Sequence, residues 1–259
     1  MDLPEELTIT EVGTMINETT TVKLHEMKLK AMVDEFERQL LDSDCLSLSF
    51  EERFGMMVDC EYNRRASNRL QRSIKNATFP INSACVEDID YRADRKLDNG
   101  LIQRLASCAF IGDRKNVIIL GATGAGKTYL SNAIGMSACR QSFSVKYVRL
   151  HEMLSELLIA REEGYYAKLL TQLRKVNLLI LDEWLLFELT NDEVKILLDI
   201  IEYRSLASST IFCSQFDITG WHEKIGDQIL ADSICDRIVH SSYMIKIEGK
   251  DSMRKKKSD

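Results

Sequence analysis

Apolar positions along the chain follow one rhythm up to about residue 78 and another after it. In the first stretch they recur at helical spacing. Val22, Leu29, Val33, Phe36 and Leu40 mark an amphipathic helix over about 21–41. Ser49 and Glu52 form an S-x-x-E capping box, in which side chains satisfy the orphan N–H groups of a helix start. The helix it opens carries an apolar face through Phe50, Phe54, Met57, Val58 and Tyr62. Its far end is basic, with Arg64, Arg65, Arg69, Arg72 and Lys75, which suits the negative end of the helix dipole. Pro80, within 76–82, breaks the helix.

From about residue 83 short apolar runs alternate with helical patterns. The runs predict strands over 117–120, 145–148, 176–181, 210–213 and 243–247. Between and before them, helices are predicted over about 98–109, over 127–140, from near His151, and from the Thr190–Glu193 cap to about 206. The run at 176–181 is apolar nearly throughout, as in a strand covered on both faces. The expected fold is α/β: a parallel five-stranded sheet with helices on both faces, behind a small all-helical N-terminal domain. The expected boundaries are 1–78 for the helical domain, 79–110 for a linker and nucleotide-base lead-in, and 111–259 for the α/β domain.

Composition narrows the class without choosing a function. Of 259 residues, 45% are hydrophobic and 29% charged, as in ordinary globular proteins. No run reaches the roughly 18 apolar residues of a membrane span. The acidic start, Met1 to Glu6, lacks a secretory layout, so a cytoplasmic location is expected. Seven cysteines come no closer than Cys45 and Cys60, fifteen positions apart, which excludes C-x-x-C metal pairs and suggests free thiols. The net charge of -6 does not exclude nucleic acid, because a basic strip can be local.

The candidate chemistry begins where the first strand ends. Gly121, Ala122, Thr123, Gly124, Ala125, Gly126, Lys127 and Thr128 match G-x-x-x-x-G-K-S/T, between a buried strand and a helix. Glycines there let successive N–H groups turn towards phosphate oxygens, and the helix start adds its positive end. Lys127 is expected on the β- and γ-phosphates of ATP and Thr128 on Mg²⁺, with Tyr129 completing the segment. Fifty-five positions after Lys127, Asp182 and Glu183 follow four apolar residues at a strand's carboxyl end. Asp182 is the second candidate for Mg²⁺ and Glu183 the candidate to activate water. The strand interposed before them favours hydrolysis over transfer to another acceptor. At the end of the fourth strand, Gln215 or Ser214 is placed to sense the γ-phosphate, the alternative being a plain strand-to-loop cap. Arg237, in a helical segment further on, is either an arginine finger for a neighbouring subunit or half of a surface pair with Asp236 or a similar acid.

These motifs, together with runs 48–55, 64–65, 86–90, 179–184, 221–240 and 249–256, resemble the IstB-like transposition helper ATPases, within the AAA+ initiator and helicase-loader group. The resemblance implies an AAA+ ATPase that works beside a DDE-type transposase of the same element. It implies double-stranded DNA bound with little sequence preference, ATP-dependent self-assembly into a homo-oligomer, and hydrolysis that resets the assembly. A replicative helicase loader of DnaC type is the alternative. Many members carry aspartate at the position of Glu183, and Ala122 stands where proline is more usual. With Asp259 close behind the fifth strand, a full lid domain is not expected, and Arg254 is the remaining candidate for a second sensor.

Two further cationic regions bear on DNA. Arg64, Arg65, Arg69, Arg72 and Lys75 are the leading candidates for phosphate contact, with the tail cations Lys250, Arg254, Lys255, Lys256 and Lys257 beside them. A second strip, after strand two, holds Lys146, Arg149, Arg161 and Lys168, diluted by neighbouring glutamates.

Overall fold

The computed structural model describes residues 9–91 and 95–248. The tail cations, Arg254 among them, lie outside the described residues. Two compact units divide between Arg69 and Leu70.

The first unit is helical, with α1 (Ile9–Glu26), α2 (Lys30–Leu41), a 3-10 turn (Ser43–Ser47) and the start of α3 (Phe50–Ala77). The single helix expected over 21–41 is broken. Lys28 adopts a left-handed backbone (φ 60), Leu29 N–H bonds to Leu24 O at 2.9 Å, and Lys28 N–H bonds to His25 O at 2.9 Å. This is a Schellman stop, which glycine usually fills. With lysine in the left-handed position and apolar spacing running on through the break, the sequence gives no sign of it. The capping box forms: Ser49 N–H donates to Glu52 Oε2 at 2.8 Å and Glu52 N–H to Ser49 Oγ at 3.3 Å. The apolar stripe of α3 does not enter a core. Phe50, Phe54, Val58 and Tyr62 are all exposed, and the rings of Phe50 and Phe54 stack at 5.9 Å. Two hydrogen bonds join α2 to α3, with Gln39 donating to Arg53 O and Ala31 N–H to Glu61.

The second unit continues with α4 (Asn99–Ala106), α5 (Ala109–Gly112), β1 (Asn116–Gly121), α6 (Lys127–Arg140), β2 (Val145–Arg149), α7 (Leu150–Glu163) and α8 (Tyr166–Lys175). It closes with β3 (Leu178–Asp182), α9 (Asn191–Ala207), β4 (Ser209–Ser214), α10 (Ile218–Ile225), α11 (Gln228–Val239) and β5 (Ser242–Ile247). All five strands are parallel, in the order β2-β3-β4-β1-β5. The helix expected over 98–109 stops early because Cys108 is left-handed (φ 58). The helix expected from His151 is a pair, divided at Gly164 (φ 81).

Period-two alternation sends strand side chains into two cores, one on each face. Ile119, Ile180 and Ile211 meet α4 and α6 through Ile102, Leu105 and Ile134. Ile118, Leu181 and Phe212 meet the helices of the other face through Leu154, Leu197 and Ile234. Helix α6 lies close on the sheet at Gly135, where a β-carbon would stand 2.7 Å from the Phe79 ring and 2.9 Å from Ile180. Among the described residues no helix is long and apolar enough to cross a membrane.

A buried arginine ties this unit together. Arg204, 1% exposed, donates to Thr210 Oγ1 (2.9 Å), Leu173 O (2.7 Å), Val176 O (2.9 Å) and Ser209 O. It joins the end of α9 to the end of α8 and the start of β4. Burial pulls its guanidinium down to about 9, so it stays charged at neutral pH and its acceptors are neutral dipoles. Arg204→Met leaves those buried carbonyls without donors and is expected to remove about 2–4 kcal/mol in urea unfolding, with Arg204→Lys recovering part of it.

Candidate functional site

The carboxyl ends of β1, β3 and β4 open on one cleft of about 780 Å³. Because β4 stands between β1 and β3, the loop after β1, the acids after β3 and the polar end of β4 all face it. The loop after β1 turns at Gly124 (φ 80) and Gly126 (φ 96), conformations that disfavour any side chain. A β-carbon on Gly121 would stand 3.0 Å from Ile247 O. No side chain caps the start of α6, so its first-turn N–H groups can serve an anion. Lys127 lies over the loop, its Nζ donating to Gly121 O at 2.7 Å and Ala122 O at 3.0 Å. A shaped loop, an uncapped helix start and a lysine together fit the phosphates of a nucleotide.

Asp182, 4% exposed, is the hub of the cleft. Its Oδ2 accepts from Thr128 Oγ1 at 2.7 Å and from the Tyr147 hydroxyl at 2.8 Å, and its Oδ1 accepts from Glu183 N–H at 2.8 Å. Thr128 donates its hydrogen to the acid, so the oxygen's lone pairs are left for a hard cation. That oxygen set suits Mg²⁺. Burial, then the charge of Asp182, pushes the Tyr147 phenol far up, so Tyr147 remains a donor. Glu183 has a left-handed backbone (φ 54), an uncommon state for a residue with a β-carbon, directly at the strand end. The turn is anchored from behind. Trp184 is fully buried, its backbone N–H bonds to Cys213 O at 2.9 Å, and its ring packs against Phe212 and Trp221 with centroids 4.7 and 5.6 Å away.

Residues from the end of β2 and the first turn of α7 surround Glu183. Arg149 Nε is 3.6 Å from Glu183 Oε1 and its Nη1 is 3.0 Å from Glu152 Oε1, while His151 Nδ1 is 3.4 Å from Glu183 Oε2. The hydrogen bond it donates to Glu152 and the charge of Glu183 raise the Arg149 pKa. Arg149, read from the sequence only as part of a cationic strip, thus sits at the acids. Tyr147 and His151 were missed altogether, although an aromatic hydroxyl on the inward face of a strand, two positions before its end, is a signal that could have been used.

The two residues at the end of β4 diverge. Gln215 Oε1 accepts from Thr123 Oγ1 at 2.8 Å and lines the cleft. Ser214 turns inward, donating to Trp184 O (3.1 Å) and accepting from Trp221 Nε1 (3.0 Å) and Phe216 N–H (3.1 Å). Arg237 does not line the cleft of its own chain. It donates to Ser233 O at 2.9 Å and pairs with Glu202 at 3.2 Å, while Asp236 pairs with His240 at 2.9 Å. Pro80, Ile81, Ile89, Leu97 and Tyr129 give the far end of the cleft apolar walls, with Ser83, Asp88 and Asp90 among them, a lining that admits a flat base. Arg95 joins the two ends, donating to Asp90 O at 2.8 Å and to Ala125 O in the phosphate loop at 2.7 Å.

The basic residues of α3 fall into two kinds. Arg64 Nη2 is 3.0 Å and Arg65 Nε 2.7 Å from the buried Glu61 carboxylate, which also accepts from Ala31 N–H at 2.9 Å. These two arginines are occupied in holding the helices. Arg69, Arg72 and Lys75 are exposed.

A family model described as IstB-like ATP binding protein matches residues 22–259. Similar relatives include the insertion-sequence ATP-binding protein y4pL of Sinorhizobium fredii, 36% identical over 93% of this chain and 98% of its own length. The IS1162 ATP-binding protein of Pseudomonas fluorescens is 41% identical over 78% of this chain and 87% of its own. Among solved structures, DnaI superposes with a TM-score of 0.55 at 25% identity, over 64% of this chain and 91% of its own. The DnaC helicase loader gives 0.53 at 17% identity, over 64% and 97%, a likeness of fold.

The Glu61 cluster makes acid stability testable. Burial raises the Glu61 pKa, but the Arg65 and Arg64 guanidiniums and the Ala31 N–H more than reverse this and leave it at about 2. A depressed carboxylate stabilises the fold fully above its unfolded value of 4.5, and that contribution is lost as pH falls towards about 2. Glu61→Gln is expected to melt earlier than the unaltered chain at neutral pH. The difference should narrow steadily below pH 4.5 in thermal scans.

Proposed function

The chain belongs to the IstB-like ATP-binding family, and on that premise we propose that it is a DNA-dependent ATPase that assists a DDE transposase, assembling with ATP on duplex DNA. The observation that carries this reading is the Asp182 hub, which ties Thr128 of the phosphate loop to the backbone N–H of Glu183. A binding-only scaffold has no need for a carboxylate turned into the cleft beside a metal-type acid.

In this reading Lys127 leaves its loop carbonyls for the β- and γ-phosphates, and Thr128 and Asp182 hold Mg²⁺, directly and through water. Bound Mg²⁺ supplies charge neutralisation to the phosphates. Glu183 accepts a proton from the attacking water as the water oxygen bonds to the γ-phosphorus and the bond from that phosphorus to the bridging oxygen breaks, releasing ADP and phosphate. Gln215, beside Thr123, lies where the γ-phosphate is expected and reports its presence. Arg237 reaches the γ-phosphate of a neighbouring subunit, which makes hydrolysis depend on assembly. DNA contact falls to Arg69, Arg72 and Lys75, with Arg64 and Arg65 contributing only the charge that Glu61 leaves. Such contacts give affinity that is non-specific and steeply dependent on salt. Likeness to the DnaC fold keeps a helicase-loader reading in view, and the partner captured by the full chain separates the two.

Phosphate release measured with and without duplex DNA tests the reading, alongside sedimentation. ATP with DNA should raise both turnover and assembly size. Glu183→Gln should retain nucleotide and lose turnover by about a hundredfold or more, Lys127→Ala should lose nucleotide binding, and Arg237→Ala should lose turnover only in the assembled form. A chain that stays monomeric with both ligands, or that captures a hexameric helicase and no transposase, would overturn it.

A further inference from the structure

We propose that Tyr147 is a positioning residue for the metal-holding acid, fixing the Asp182 carboxylate so that one acceptor site remains for a water of the bound cation. The proposal rests on the reading of the cleft as a Mg²⁺–ATP site and names a determinant within it that neither motif contains.

The argument starts from a count of lone pairs. An ionised carboxylate offers about four acceptor sites. On Asp182, Oδ2 accepts from both Thr128 and Tyr147, at 2.7 and 2.8 Å, and so is full. Oδ1 accepts from Glu183 N–H at 2.8 Å and keeps one site. These donors come from three different elements: α6, β2 and the turn after β3. Two of them constrain the carboxylate weakly on their own. Thr128 is at a helix start and can rotate about its side chain, and the Glu183 N–H is adjacent in sequence to the acid it binds. Tyr147 is the long-range rigid donor. Its ring is 7% exposed in the core of the α6 face, and its carbonyl is held by Thr78 Oγ1 at 3.0 Å.

Without the phenol, Oδ2 has an open site and the carboxylate can turn about its own bond. A buried acid in that state rotates towards whichever donor is near, and the remaining site on Oδ1 no longer has a fixed direction. Thr128 loses the fixed acceptor that directs its lone pairs outwards. Tyr147 touches neither the cation nor the nucleotide in this scheme. It acts only through Asp182, as partners behind metal ligands do.

The test compares the full-length chain with Tyr147→Phe, which keeps the ring and removes one oxygen. ATP binding is titrated against Mg²⁺ with a fluorescent ATP analogue, and the bound cation is examined with Mn²⁺ by electron paramagnetic resonance. The half-saturating Mg²⁺ concentration should rise about tenfold in Tyr147→Phe, with a broadened Mn²⁺ spectrum. ATP affinity at saturating Mg²⁺ should change little. Replacement of Tyr147 by 4-aminophenylalanine, whose amine N–H donors stand in the phenol's place, should recover most of the shift and covers the case in which the phenylalanine variant folds poorly. A lowered melting temperature with an unchanged Mg²⁺ curve and Mn²⁺ spectrum would mean that Tyr147 only packs, and the proposal would be wrong. Absence of Mg²⁺-dependent nucleotide binding in the unaltered chain would instead sink the reading of the cleft itself.

Discussion

The bond between the Thr128 hydroxyl and the Asp182 carboxylate constrains everything around it. It joins the first turn of α6 to the end of β3, two elements 54 residues apart, across the width of β4. Only a sheet in which β4 separates β1 from β3 lets the phosphate loop and the acids share one edge with a polar strand end between them. The close approach of α6 to the sheet at Gly135 is part of the same requirement, since a side chain there would push the helix off Phe79 and Ile180 and lift Thr128 from its acceptor. Trp184 anchors the turn after β3 from the opposite core. The geometry of the cleft is thus held from both faces of the sheet.

How far the sequence could be read depended on whether a feature is local. The five strands are contiguous apolar runs, and their expected positions agree with the observed strands to within a residue or two at each end. The Thr190–Glu193 capping box is a contact three residues long and forms with both bonds in place. The helix break at Lys28 is equally local but uses a residue that carries no left-handed preference, so nothing in the pattern marks it. Exposure of Phe50, Phe54, Val58 and Tyr62 was illegible for another reason. Periodicity identifies a face but does not say what covers it, and here α2 meets α3 through Gln39 and Glu61 on a neighbouring face.

The cleft shows the same division. Residues within the two motifs were legible because strand, glycine turn and helix follow one another in the chain. Tyr147, Arg149 and His151 belong to β2 and α7, and only the parallel register, which sets Arg149 opposite Asp182, brings them to the acids. The choice between Ser214 and Gln215 had the same character. Adjacent strand positions point to opposite sides, so one had to face the core. Which one depended on the Trp184 carbonyl and the Trp221 indole, which engage the Ser214 hydroxyl and leave Gln215 to the phosphate loop.

The placement of Arg237 bears on how an assembly of such chains could control turnover. Within its own chain the guanidinium is paired with Glu202 at 3.2 Å, and Glu202 is more than half exposed. An ion pair open to water contributes under about 1 kcal/mol. Such a contact keeps the side chain extended along α11 without holding it strongly. A phosphate group in a cleft shielded from water attracts a guanidinium far more, because screening is weaker there. In the proposed assembly Arg237 would exchange Glu202 and its bonds to Ser233 for a neighbour's phosphate once that nucleotide came within reach, and return when the phosphate was gone. A weak resting pair would make such an exchange reversible. A buried arginine such as Arg204, held by neutral carbonyls and a hydroxyl, could not serve in that way.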